Sequence, residues 1–152
     1  MSARILIIED HPANMELMAY LFNAFGHVPL AAFDGEAGIE AALRELPDLI
    51  VCDINLPKMD GYDVVHKLKG NPALQQIPVI AVTALAMVGD REKLLDAGFD
   101  GYVGKPIEPE TFVTQIDKFL GAGLRSSPLQ AAAPAAVQTT LETAADRSRR
   151  QL

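Results

Sequence analysis

Residues capable of chemistry sit in this chain where short apolar runs give out. Glu9 and Asp10 follow the run 5–8, Asp53 follows 49–52, Thr83 follows 79–82, and Lys105 lies just past 99–103. Taken singly, each has an ordinary explanation. Adjacent acids complement the dipole of a helix start, Asp53 can cap the loop before Leu56-Pro57, Thr83 is a common strand residue, and lysines are mostly solvated surface charges. Taken together, three carboxylates, a hydroxyl and an ammonium around one crevice are costly without a purpose. Close carboxylates repel and raise one another's proton affinity unless a cation lies among them. An oxygen-only set with room for water suits Mg²⁺ or Mn²⁺.

The elements that must bring these groups together are legible from hydrophobic period. Runs 5–8, 28–32, 49–52 and 79–82 and the weaker 99–103 read as strands, three of them almost continuously apolar, as strands buried on both faces of a parallel sheet should be. Helical stripes alternate with them. Pro12 suits a first turn, and Met15, Met18, Phe22 and Phe25 follow before Gly26. Ile39, Ala42, Leu43 and Leu46 form a second stripe, stopped by Pro47. Val64, Val65 and Leu68 form a third, 90–97 a fourth, and Phe112, Val113, Ile116, Phe119 and Leu120 a fifth. Five strands alternating with five helices predict an open α/β fold with a five-stranded parallel sheet and right-handed crossovers. In such sheets ligands bind beyond the carboxyl ends of the strands, which is where the polar residues fall.

Composition limits the function classes. The chain has 152 residues with 49% hydrophobic and 22% charged, a globular balance with no apolar run long enough to span a membrane. A single cysteine, Cys52, excludes a disulfide framework and a Cys-rich zinc site; the simplest expectation is a cytoplasmic protein. Residues 1–121 carry nine Lys/Arg against eighteen Asp/Glu, a net of −9, whereas 122–152 carry four against two. An acidic body disfavours nonspecific contact with nucleic acid. Residues 122–152 are Ala-rich, without aromatics, and read as a linker with a short helix at about 139–150, where Thr139 to Glu142 fits a capping box and Val137, Leu141, Ala145 and Ser148 share a face. So short a segment cannot build a DNA-binding domain with its own core, and 1–121 is expected to be the one folded domain.

Four blocks carry a family resemblance. Ile5-Leu6-Ile7-Ile8-Glu9-Asp10 resembles the opening of the CheY-like receiver domain of two-component response regulators, and residues 53–61 resemble its phosphoacceptor loop. Residues 79–84 are similar to its switch-threonine strand, and 101–106 to its lysine–proline strand end. The resemblance covers residues 4 to about 120 and implies a doubly wound (βα)5, flavodoxin-like receiver fold. Position by position it implies that Asp53 accepts a phosphoryl group from a histidine kinase or histidine phosphotransfer protein. It further implies that Glu9, Asp10, Asp53 and the backbone carbonyl of Asn55 hold Mg²⁺, that Lys105 and Thr83 contact the acyl phosphate, and that Tyr102 is the aromatic switch. The Lys105–Pro106 bond is expected to be cis. Signalling would pass to a downstream protein through the face formed by the fourth helix, fifth strand and fifth helix, or the phosphate would be relayed onward. Physical chemistry agrees: a carboxylate is a competent nucleophile for activated phosphorus once positive charge cancels the repulsion between anions.

Among receivers, residues 82–90 look like those of single-domain, DivK-type regulators and of hybrid kinases. Two other readings compete. A phosphohydrolase working through an aspartyl phosphate would carry a second Asp two positions after the nucleophile, where this chain has Asn55. A phosphorylation-independent adaptor would have no need of the intact polar set. The first acidic pair is Glu-Asp rather than Asp-Asp, which keeps two oxygen ligands at longer reach. Asn55 and Leu85 occupy positions that influence phosphate lifetime in the family. His11 is read as a loop residue, since Mg²⁺ prefers oxygen; His27 is read as a strand-edge residue and His66 as a helix-surface one. Cys52 is read as a small core residue.

Overall fold

The computed structural model describes residues 2–84 and 89–121. Strands and helices alternate along them: β1 (Arg4–Ile8), α1 (Pro12–Ala24), β2 (Val28–Ala32), α2 (Gly35–Glu45), β3 (Leu49–Asp53), α3 (Gly61–Lys69), β4 (Val79–Thr83), α4 (Asp90–Ala97), β5 (Gly101–Gly104) and α5 (Phe112–Asp117). The strands form one parallel sheet in the order β2-β1-β3-β4-β5. Chain direction across the sheet reverses between β1 and β3, so the crevice opens beyond the ends of those two strands.

Alternation along the strands divides the core. Ile5, Ile7, Leu49, Val51, Ile80 and Val82 face α1 and α5, whereas Leu6, Ile8, Ile50, Cys52, Val79 and Ala81 face α2, α3 and α4. Because both faces are covered, β3 and β4 are buried along their whole length, as their unbroken apolar runs predict.

Three expectations need correction. The fifth strand begins at Gly101, not Phe99. Asp100 is occupied elsewhere, its carboxylate accepting from the Val79 N–H at 2.8 Å and from the Lys69 ammonium at 2.9 Å, while Phe99 turns into the core against Tyr62.

The stripe on α2 is rotated from the expected one. Of the expected residues, Ala42 is in the core and Ile39 packs against it, but Gly35, Gly38 and Ala41 complete the buried face, and Leu43 and Leu46 face outward. Close approach explains this. A Cβ on Gly38 would lie 2.4 Å from Ile8 Cδ1, so only the small residues fit against β1.

His27, expected at a strand edge, is 2% exposed. Its Nδ1 accepts from the Ala3 N–H at 3.1 Å, which leaves Nε2–H to donate to Asp117 Oδ1 at 3.1 Å. The imidazole thereby joins Ala3, the residue before β1, to α5. His66 is exposed on α3 and Cys52 is buried in β3, both as expected. The tail helix expected near 139–150, the linker before it and Leu85 lie outside the described residues.

Candidate functional site

Each polar group is delivered by the end of a strand. Glu9 and Asp10 follow β1 directly, and the Glu9 N–H donates to Ala32 O at 3.0 Å, which fixes where β1 stops. Asp53 is the last residue of β3 and Thr83 the last of β4, 2% and 1% exposed. Lys105 follows β5, its N–H donating to Thr83 O at 2.8 Å, so the lysine loop is tied to the threonine strand. The Lys105–Pro106 bond is cis, as expected.

These ends converge. Carboxylate oxygens of Glu9, Asp10 and Asp53 lie within 4.8 Å of one another. The Lys105 ammonium donates to Asp53 Oδ1 at 2.9 Å, and the Asn55 N–H donates to the same oxygen at 3.3 Å. The His11 N–H donates to Glu9 Oε2 at 3.0 Å, while Glu9 Oε1 is buried with no hydrogen-bond partner among the described residues. Burial pushes the Glu9 carboxyl up to about 7; the His11 N–H pulls against this and the neighbouring charge of Asp53 adds to the rise. Burial also raises the Cys52 thiol, which keeps it an inert core group beside Asp53.

Three close carboxylates with, among the described residues, the single ammonium of Lys105 paired to them leave uncompensated negative charge. A buried carboxylate oxygen left unsatisfied on a member of such a group fits a site for a cation. All side-chain donors are oxygens, which matches Mg²⁺ and does not match zinc or copper. His11 is exposed and serves Glu9 through its backbone. Tyr102 stands apart from the cluster: it is 43% exposed on β5, in register with Ala81, two residues before Thr83.

Two contributors carry no role in the sequence reading. Gly61 starts α3 against the acid loop, its N–H donating to Ile54 O at 2.9 Å, and a Cβ there would lie 2.6 Å from Asp53 O and 2.7 Å from Ile54 Cα. Asp60 caps the same helix, accepting from the Asp63 N–H at 2.9 Å. The Asp60-Gly61 pair was a readable turn and cap signal, but the close approach behind it depends on the tertiary fold. The second contributor is Lys93 on α4, whose ammonium lies 5.0 Å from the centre of the Tyr62 ring. With Asp10, Asn55 and Pro57 these two residues line a cleft of about 580 Å³ beside the acids.

Comparison with known proteins agrees with this arrangement. A profile of the response regulator receiver domain family matches residues 5–117. The polar-differentiation response regulator DivK of Brucella ovis is 39% identical over 121 residues, covering 80% of this chain and 98% of the relative. Among solved structures, the receiver domain of the sensor histidine kinase PA1611 from Pseudomonas aeruginosa, with a magnesium ion coordinated in its active-site cleft, aligns with TM-score 0.73 and 30% identity over 80% of this chain and all of that one. Chemotaxis response regulator CheY4 of Vibrio cholerae shares the fold at TM-score 0.75 and 22% identity, over 79% of this chain and 100% of that one. Receiver domains bind Mg²⁺ at an acidic pocket and interact with histidine kinases and downstream partners. With its parallel five-stranded sheet, its acidic pocket and these relatives, the chain belongs to the response regulator receiver domain family of two-component phosphorelay signalling.

Proposed function

We propose that Asp53 is the phosphoacceptor of this chain and that its phosphorylation is the signal. The observation that carries the proposal is the placement of the Asp53 carboxylate. It is almost fully buried at a strand end, fixed through one oxygen by the Lys105 ammonium at 2.9 Å and flanked by Glu9 and Asp10. In the transfer, a carboxylate oxygen of Asp53 forms a bond to phosphorus. The P–N bond of a phosphohistidine breaks, and the imidazole leaves with the bonding electron pair. Lys105 orients the carboxylate beforehand and neutralises charge on the phosphoryl oxygens as they arrive. The Thr83 hydroxyl, carried by the strand next to β3, is the donor for an oxygen of the acyl phosphate.

Glu9, Asp10 and Asp53, with the carbonyl of Asn55, would hold a divalent cation, Mg²⁺ or Mn²⁺. Bound there, it supplies the positive charge that lets two anions approach. Asn55 replaces the acid that a fast phosphohydrolase needs at this position, so the phosphate is lost slowly and acts as a signal. Engagement of Thr83 by phosphate draws it inward, and Tyr102 on the adjacent strand turns toward the space released. The surface of α4, β5 and α5 then changes between two populations for a downstream protein to read. A histidine kinase or histidine phosphotransfer protein is the donor, approaching by the open cleft lined by Asp10, Asn55 and Pro57.

Intact-mass spectrometry after incubation with a small-molecule phosphodonor and Mg²⁺ tests this. A single phosphoryl adduct is expected in the wild type, absent without Mg²⁺ and absent in Asp53→Asn. An adduct that persists in Asp53→Asn would overturn the assignment. So would a wild type left unmodified by both a small donor and a phosphorylated histidine phosphotransfer protein.

A further inference from the structure

The rotation of α2 leaves an apolar strip along the open edge of the sheet. Val28 on β2 is 46% exposed, and Leu43 and Leu46 at the end of α2 are 45% and 56% exposed. Val28 lies on the same face of β2 as Leu30 and Ala32, the face that α2 covers. The end of α2 lies near the start of that strand: the Arg4 guanidinium donates to Glu45 O at 2.6 Å, and Arg4 is in register with Val28. Leu46 is doubly anomalous. It caps α2 with φ 47° and ψ 62°, a left-handed conformation that glycine or asparagine adopts readily and a branched side chain does not. A strained backbone that holds a large apolar side chain in water points to something that covers it. Glu40, one turn before Leu43, and Glu36, one turn further toward the start of α2, are exposed, and among the described residues neither pairs with a cation.

We infer that this strip is the docking surface for the chain's own segment 137–150. The described body ends at Gly121, four residues beyond Asp117, whose carboxylate is 3.1 Å from the imidazole of His27, the residue before Val28. The chain therefore leaves the body at the same end of the sheet as the strip. Residues 122–136 extended at about 3.3 Å each reach about 50 Å, more than the width of a domain of this size. Segment 137–150 offers the matching chemistry: Val137 and Leu141 recur at helical spacing, and Arg147, Arg149 and Arg150 follow. Its apolar face meets Leu43, Leu46 and Val28, and its arginines meet Glu36 and Glu40, in keeping with a body of net charge −9. An arm of this kind covers the β2 edge, which otherwise presents unpaired backbone groups at the side of the sheet. It leaves α4 and β5, on the opposite edge, open. This inference stands apart from the phosphoryl-transfer reading.

The test is amide NMR on the full chain, with sedimentation at two protein concentrations. Val137→Asp with Leu141→Asp should shift the amide signals of Val28, Leu43 and Leu46 and leave those of Glu9 and Asp53 in place. Conversely, Leu46→Asn, which keeps a residue tolerant of the left-handed conformation, should shift the signals of residues 137–145. Strip signals that ignore the tail substitutions overturn the inference. Strip signals that move with protein concentration, alongside a sedimenting dimer, overturn it in favour of a second copy.

Discussion

Glu9 gives the sharpest quantitative test of the site, because its carboxyl must lose a proton before it can serve as a cation ligand. With the group pushed up to about 7, the ready, ionised fraction is about one in eleven at pH 6 and about ten in eleven at pH 8. Apparent Mg²⁺ affinity should therefore rise about tenfold between those pH values, or about 1.4 kcal/mol of binding free energy. Each ion bound should release about 0.9 proton at pH 6 and about 0.1 at pH 8. Titration calorimetry in two buffers of different ionisation enthalpy counts those protons directly. In Glu9→Gln the side chain keeps its length and loses its titration, so the tenfold rise should vanish while weaker binding remains. An affinity that does not vary with pH in the wild type would refute the reasoning. So would a variation that survives intact in Glu9→Gln, because the burial of Glu9 would then not be its cause.

The same shift has a sign for stability without metal. A carboxyl raised from 4.5 to about 7 is favoured in its neutral form by the fold. Its contribution is fully present below about pH 4.5 and is lost as pH rises through about 7. Thermal midpoints of the metal-free protein should fall across that window, and Mg²⁺ should raise them more at pH 8 than at pH 6. This follows because the ion binds the folded state preferentially.

Two further outcomes concern residues outside the acid cluster. Gly61→Ala drives a methyl into the backbone of Asp53 and Ile54, which cannot rotate away. A loss of about 1–3 kcal/mol is expected from overpacking, together with slower phosphorylation of Asp53; a urea midpoint and adduct rate equal to wild type would refute the close-approach account. His27→Leu removes the acceptor of the buried Ala3 N–H and the donor to Asp117. It should cost about 1–3 kcal/mol in urea unfolding without changing Mg²⁺ affinity, and an unchanged midpoint would show that the pair is ornamental to the fold.

What the sequence disclosed follows from how local its causes are. β3 and β4 are apolar at every position because two helical layers bury them, and α4 is bracketed by residues of its own, Gly89 before it and Gly98 after it, both in left-handed conformations. Glu9, Asp10, Asp53, Thr83 and Lys105 could be grouped because each ends or follows a strand and parallel strands end together. The misreadings share a different cause. On α2 the pattern placed Ile39 and Ala42 inward correctly but extended the stripe to Leu43 and Leu46, whereas packing against Ile8 demanded glycine and alanine, so the two leucines face outward. His27 meets Asp117 ninety residues away, and no local period encodes that distance. Phe99 was apolar enough for a strand, but the neighbouring Asp100 carboxylate already served the Val79 N–H.

The two ends of the sheet present opposite physical problems. At the carboxyl ends of the strands, the fold concentrates negative charge and leaves Glu9 Oε1 buried with no partner among the described residues. On the proposed reading, a cation and a phosphoryl group would relieve that arrangement only on arrival, and their binding free energy would be coupled to the position of Thr83 and Lys105. At the opposite end, the fold leaves Leu46 exposed in a left-handed conformation at the end of α2, and the inferred docking of an apolar, arginine-bearing segment would relieve it. The Thr83 O to Lys105 N–H hydrogen bond ties the threonine and lysine of the first site to β5, whereas the α2–β2 strip lies at the other edge of the sheet, with β1, β3 and β4 between it and β5. Phosphorylation should therefore alter the surface of α4 and β5 while leaving the strip as it is. Amide signals of Tyr102 and Leu95 that move on phosphorylation, with those of Leu43 and Leu46 fixed, are the expected result. Movement of all four together would show that the sheet transmits between its edges and that the two sites are one system.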